Sequence, residues 1–246
     1  MRVVLARLSL LCISLIAISL ILTGHSSAKI DLSTCVGMWL LDEGKGEVAR
    51  DPSGNGNDGK LMNGPKWVDG KFGKALEFDG SDDYVEMPND SGLPSGAQER
   101  TISAWAKVDT FKNGRIFSYG AWSQGNAFDL IEQKAHKFMI IGHTNNYSTT
   151  KIDFSTGDWY HIAAVLEAGN LTFYYNGIKD STQSVQLNTV LRNDTLRIGN
   201  GVGDIDQWFD GIIDEVALFN VALTEDDIKS IMTRGLSSIS AVSPSG

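Results

Sequence analysis

The chain has 246 residues, 42% of them hydrophobic, with 30 acidic against 21 basic side chains and a net charge of −9. A surface this acidic repels phosphate and anionic lipid, which argues against nucleic acid and against anionic membranes as partners. Of the two cysteines, Cys12 falls in an apolar leader and Cys35 stands alone, so a processed chain has no internal disulfide and must rely on a core of its own.

Arg2 and Arg7 precede an apolar stretch over residues 8–22, and Ser26, Ser27 and Ala28 supply small residues for cleavage. Residues 1–28 are therefore expected to be a secretory signal peptide, since 15 apolar residues are short for a membrane span. Cleavage after Ala28 leaves 246 − 28 = 218 residues, and the loss of two arginines and no acids takes the charge from −9 to −11. That length suits one large all-β domain outside the cell. Residues 29–35 form a lead-in. Leu32-Ser33-Thr34-Cys35 faintly resembles a lipid-attachment box but lies ten residues past the apolar stretch, so a buried free thiol in the first strand is expected at Cys35.

Between residues 43 and 211, turn signals recur at short intervals, at residues 51–59, Asn63-Gly64-Pro65, Asp79-Gly80, Asn113-Gly114, Asn176-Gly177 and 199–203. The segments between them are rich in β-branched and aromatic residues and predict strands over 36–41, 101–108, 115–119, 138–141, 159–166, 171–176 and 195–198, the pattern of a sandwich or barrel. Asn176-Gly177 is a strong hairpin signal. Residues 209–220 read as a strand packed on both sides. Stepping by two puts Ile213 and Glu215 on one face and Asp214 and Val216 on the other. The acids inside this strand call for a partner or a metal. A helix is expected over 225–234, capped by Thr224, acidic in its first turn and ended by Gly235. Residues 236–246 read as a flexible tail.

Several pieces, in order, resemble the laminin-G-like jelly-roll domain of the concanavalin A-like lectin/glucanase superfamily. They are Met38-Trp39-Leu40-Leu41-Asp42-Glu43, Gly73-Lys74-Ala75-Leu76-Glu77-Phe78-Asp79-Gly80, Asp82-Asp83-Tyr84-Val85, Thr101-Ile102-Ser103-Ala104-Trp105, Asp158-Trp159-Tyr160-His161, Leu171-Thr172-Phe173-Tyr174-Tyr175-Asn176-Gly177 and Ile213-Asp214-Glu215-Val216. The resemblance spans residues 36–235. It implies an all-β, antiparallel two-sheet jelly-roll sandwich with one short C-terminal helix, often a structural calcium ion, and binding rather than catalysis. Fold alone does not fix function.

Calcium takes six to eight oxygen ligands. The turn carrying Asp79, Asp82 and Asp83 offers some of them, and the resemblance places Asp214 near that turn as a further ligand, with Glu215 left to pair with a basic neighbour. The alternative is a solvated acidic turn. Residues 51–59 space oxygens as an EF-hand loop does but lack its glutamate and flanking helices, so a tight turn is the better reading. His161 reads as structural, and His136 and His143 have no nucleophile motif beside them. The chain lacks Gly-x-Ser-x-Gly and a strand-borne Glu-x-Asp-x-Glu; Glu77-Phe78-Asp79 is the nearest approach. No enzyme is expected. Trp39 and Trp105 are expected in the core. Tyr119, Trp122, Tyr147 and Trp208 lie in polar, glycine-rich contexts and are the candidate platforms for a sugar ring. Gln124, Asn126, Asp206 and Gln207 are candidate hydroxyl partners. The expected partner is thus a glycan, with an extracellular protein as the alternative. A hydrolase would need a cleft lined by paired carboxylates.

Overall fold

The fold is described from a computed structural model, which covers residues 30–88, 92–121, 126–142, 146–151, 153–192, 196–203 and 206–240. Trp122, Gln124, His143 and the leader lie outside the described residues. In chain order the strands are β1 (Cys35–Trp39), β2 (Val48–Ala49), β3 (Gly59–Met62), β4 (Lys66–Asp69), β5 (Lys74–Asp79), β6 (Tyr84–Met87), β7 (Arg100–Val108) and β8 (Arg115–Gly120). They continue with β9 (Ala127–Gln133), β10 (Lys137–Ile141), β11 (Asn146–Ser148), β12 (Trp159–Glu167), β13 (Asn170–Tyr175), β14 (Ile178–Ser184), β15 (Leu196–Ile198) and β16 (Asp210–Phe219). Helix α1 (Glu225–Ser240) follows.

These strands form two antiparallel sheets of eight, a jelly-roll sandwich. Sheet A runs β14-β13-β12-β7-β16-β5-β4, with β1 also on β16, and sheet B runs β11-β10-β9-β8-β15-β6-β3-β2. The alternation read in residues 101–108 holds, because Ile102, Ala104, Ala106 and Val108 all enter the core between the sheets. Asn176 and Gly177 both take left-handed φ angles, 45° and 72°, as a tight turn between β13 and β14 requires. Trp39 is core and its indole N–H donates to the carbonyl of Asn57 at 2.8 Å. The Asp51 carboxylate accepts from the N–H groups of Met38, Ser53 and Asn57, so residues 51–59 form a hydrogen-bonded turn. Cys35 is buried in β1, and burial pushes its thiol up to about 12.

A second apolar layer covers the outer face of sheet A. Ile30 of the lead-in and Ile228, Ile231, Leu236 and Ile239 of α1 pack on Ala163, Tyr174, Ala217 and Phe219. The helix begins as expected: Thr224 Oγ1 accepts from Asp227 N at 3.2 Å while Asp227 Oδ2 accepts from Thr224 N at 3.0 Å, a reciprocal cap. Gly235 interrupts the helix with φ 72° and ψ 163°. A further helical turn follows it, so the packed structure runs beyond the boundary expected at residue 235.

The strand at 209–220 differs from its sequence reading in one important respect. The pairing of β16 with β7 shifts between Asp214 and Ala217, and Glu215 has a φ of 53°. This is a β-bulge, one extra residue on one strand. Before it, Ile213 faces the main core; after it, Val216 and Leu218 do. The two-step alternation therefore breaks at Glu215, and Asp214 and Glu215 share the outer face instead of opposing one another. Trp105 is buried as expected, and the same geometry gives its place: it lies opposite Asp214 on that outer face, beneath Phe72, with ring centroids 6.2 Å apart.

Candidate functional site

The outer face of sheet B is built by simple alternation. Val85, Phe117, Phe128, Leu130, Leu196 and Ile198 point into the core, so Tyr84, Glu86, Ser118, Asp129 and Arg197 stand on the opposite face. Ser118 Oγ donates to Asp129 Oδ1 at 2.5 Å, and Arg115 Nε pairs with Asp129 Oδ2 at 3.4 Å. Arg197 grips Glu86 Oε2 through Nε and Nη2 at 3.1 and 2.9 Å, and donates to the carbonyl of Gly201. Val202 N donates to Ser118 Oγ, which folds residues 199–203 over this face.

At the open side of that loop, Trp208 rests on Tyr84, with centroids 5.8 Å apart and planes 45° apart, and the Arg197 guanidinium lies 4.7 Å from the Tyr84 ring centre. Trp208 is half-buried and Asp206 exposed. Asn200 Nδ2 and Gln207 Oε1 are buried without a hydrogen-bond partner. An aromatic surface beside a fixed cation and a carboxylate has the chemistry to hold a polyhydroxylated ring. Trp208, Asp206 and Gln207 were candidates of the sequence reading; Tyr84, Glu86 and Arg197, which the structure brings beside Trp208, were not. The signal was the alternation of Tyr84, Val85, Glu86 and Met87, with polar side chains facing away from the core.

Other candidate residues lie elsewhere. Tyr119 is not in an exposed loop: it is buried near the end of β8, where its hydroxyl accepts from Arg100 Nη1 at 2.6 Å and donates to the carbonyl of Pro94 at 2.9 Å. The turn-like context came from Gly120, which ends the strand with a φ of 87°. Tyr147 is half-buried in β11, packs against the core and accepts from Gln186 N at 2.9 Å. Asn126 is half-buried just before β9, where its backbone carbonyl accepts from Val190 N.

Oxygens of Asp79, Asp82 and Asp83 lie within 4.8 Å of one another. Asp79 Oδ1 accepts from Ser81 N and Asp83 Oδ2 from Asp79 N, and no atom of the three is buried without a partner. The register sets Asp210, not Asp214, opposite Asp79. Asp214 stands four residues further along β16, roughly 13 Å at strand rise, so it does not join this turn. Glu77, Asp79, Asp83, Asp109 and Asp210 line a cleft of about 230 Å³ together with Lys66. Burial raises the carboxyls of Asp83 and Asp109. Lys112 Nζ bridges Asp210 at 3.6 Å and the carbonyl of Gly80 at 2.5 Å. His161 is buried, donates to or accepts from Ser103 Oγ at 2.8 Å, and is held down to about 3 by burial.

The geometry defines a jelly-roll domain with a polar, aromatic-edged outer sheet face. The sequence profile of the family Laminin_G_3, of the concanavalin A-like lectin/glucanases superfamily, matches residues 79–229, more than half of the chain, and the chain belongs to that family. No curated protein sequence matches it. Among solved structures, domain 4 of AbnA, an extracellular GH43 arabinanase from Geobacillus stearothermophilus in complex with arabinotriose, superposes with a TM-score of 0.66 at 22% identity, over 81% of this chain and 98% of that one. The binding domain of Paraclostridial Mosquitocidal Protein 1 does so with a TM-score of 0.63 at 16% identity, over 82% of this chain and 52% of that one. A Trypanosoma rangeli sialidase gives a TM-score of 0.61 at 17% identity, over 81% of this chain and 33% of that one. At these identities the likeness is one of fold.

Proposed function

We propose that this domain is a secreted, non-catalytic glycan-binding module that takes its ligand on the outer face of sheet B. The observation carrying this reading is the half-exposed Trp208 on Tyr84, beside the Arg197–Glu86 pair. The arabinanase domain, solved with arabinotriose, supports a sugar as the ligand class. Secretion rests on the leader; among the described residues no helix is long and apolar enough to cross a membrane.

Trp208→Ala should abolish or strongly weaken binding to a glycan array hit while leaving the melting temperature close to that of the parent. Stacking is expected to outweigh single hydroxyl contacts, which contribute only about 0.5–1.5 kcal/mol each against competing water. An array with no hit, or a hit that Trp208→Ala leaves intact, overturns the reading. The acidic cleft at Asp79 and Asp109 is where a hydrolase reading would lodge. Glycan cleavage that disappears with Asp109→Asn would establish that reading instead.

A further inference from the structure

Acidic sugars are recognised best by a guanidinium whose N–H edge is open, because two parallel N–H groups match two oxygens of a carboxylate or sulfate. The outer face of sheet B carries an arginine beside its aromatic platform, Arg197, but the edges of that arginine are taken. Nε and Nη2 both donate to Glu86 Oε2, at 3.1 and 2.9 Å, and Nη1 donates to the carbonyl of Gly201 at 3.1 Å. The guanidinium lies 4.7 Å from the centre of the Tyr84 ring, and only 10% of the side chain meets solvent. Strand pairing fixes the arrangement, since Arg197 on β15 stands directly opposite Glu86 on β6. Glu86 thus fills the place that the carboxylate of a uronic or sialic acid would need.

The other cations near the platform offer no substitute. Lys112 Nζ donates to the carbonyl of Gly80 at 2.5 Å and lies 3.6 Å from Asp210. Lys66 lines the acidic cleft. Lys60, opposite Glu86 on β3, is exposed, and an ammonium in open water holds a carboxylate only weakly. Acids surround the platform. Asp83 directly precedes Tyr84, and Asp206 and Asp210 flank Trp208 in the chain. Burial, and after it the charges of Asp79 and Asp82, raise the Asp83 carboxyl, which marks a negative field at this end of the face. The rings of Trp208 and Tyr84 offer apolar surface that asks for no charge on the ligand.

Resting on the reading of this face as a glycan site, we infer that it selects uncharged glycans, and that Glu86 imposes the choice by closing the guanidinium of Arg197 to any anionic group of the ligand.

The test is an array of neutral pentose and hexose oligosaccharides beside uronate, sialate and sulfated ones, probed with the whole protein. The parent should bind neutral spots alone. Its Kd for a neutral hit, from calorimetric titration, should change less than about threefold between about 50 and 500 mM sodium chloride, since the ligand has no charge to screen. Glu86→Ala opens the edge of Arg197 and should raise the ratio of acidic to neutral signal about tenfold or more. Should that variant not fold, Glu86→Gln removes the charge, keeps an acceptor for Arg197 and should move the ratio in the same direction. Acidic hits in the parent that Trp208→Ala removes would overturn the selectivity and leave the binding site standing. A larger loss of affinity at high salt would reveal a charged contact and overturn it as well. An unchanged ratio in the folded Glu86 variants would strip Glu86 of the role. An array without hits, or hits that Trp208→Ala leaves intact, would sink the binding reading and this inference with it.

Discussion

At the scale of single residues, burial decides which polar groups are chemically available. His161 sits on the outer face of sheet A between Ser103 and Trp105, with its ring centroid 5.3 Å from that of Trp105. Desolvation disfavours the imidazolium and holds the group down to about 3. An unfolded histidine has its ordinary value near 6.5, so between about 6.5 and 3 the unfolded chain binds the extra proton and the folded one does not. Its contribution to stability is therefore complete above pH ~6.5 and is lost as the pH falls toward 3. The expected observation is a His161 ring resonance that stays put from pH 8 to pH 5 while that of an exposed histidine moves. A titration midpoint near 6.5 would show that the ring reaches water. The sequence already marked His161 as structural, because it alternates with residues of a strand. It could not show that Tyr119 is likewise buried, because the neighbouring glycine reads as a loop whether it ends a strand or begins one.

At the scale of elements, regular periodicity was legible and its interruption was not. The predicted strand at 159–166 is β12 and that at 171–176 is β13, since both are rich in β-branched, aromatic and other apolar residues and lie between turn residues. β14 escaped notice because Lys179, Asp180, Ser181, Thr182, Gln183 and Ser184 have the composition of a loop; its order comes from pairing with β13 at the sheet edge. The bulge in β16 is invisible to a two-step reading, since one inserted residue reverses the face of everything after it. Gly235 was legible as a helix stop but not as a contact. A Cβ there would lie 3.2 Å from Glu215 Oε2 and 3.2 Å from Phe72, on a backbone that other residues avoid. Gly235→Ala is thus expected to lower unfolding free energy by about 1–3 kcal/mol, read from denaturant midpoints. A change of a few tenths would mean that the helix end shifts freely off the sheet.

For the whole molecule, the sandwich was readable from turn spacing and family resemblance, and half of the candidate binding site was not. Trp208 stood out as an aromatic residue in a polar segment. Tyr84, Glu86 and Arg197 come from strands remote in sequence and meet only because β6 pairs with β15. The same long-range logic governs integrity. β16 is the hub of sheet A, bonded to β7 on one side and to β5 and β1 on the other. A chain ending at residue 208 keeps most of the strands yet should show neither cooperative melting nor dispersed amide resonances. A folded product of that length would mean that sheet B carries the domain by itself.

The place of β16 also orders events in time. Cys35 must wait for Phe219, its partner across the ladder, so the first strand made is seated only after almost the last has emerged. Loop closure over such separations is slow, and contacts of this range delay collapse into the final form. During synthesis sheet A therefore stays open down its middle, with β7 on one flank and β5 and β1 on the other, until the carboxy-terminal strand slides into the gap left for it.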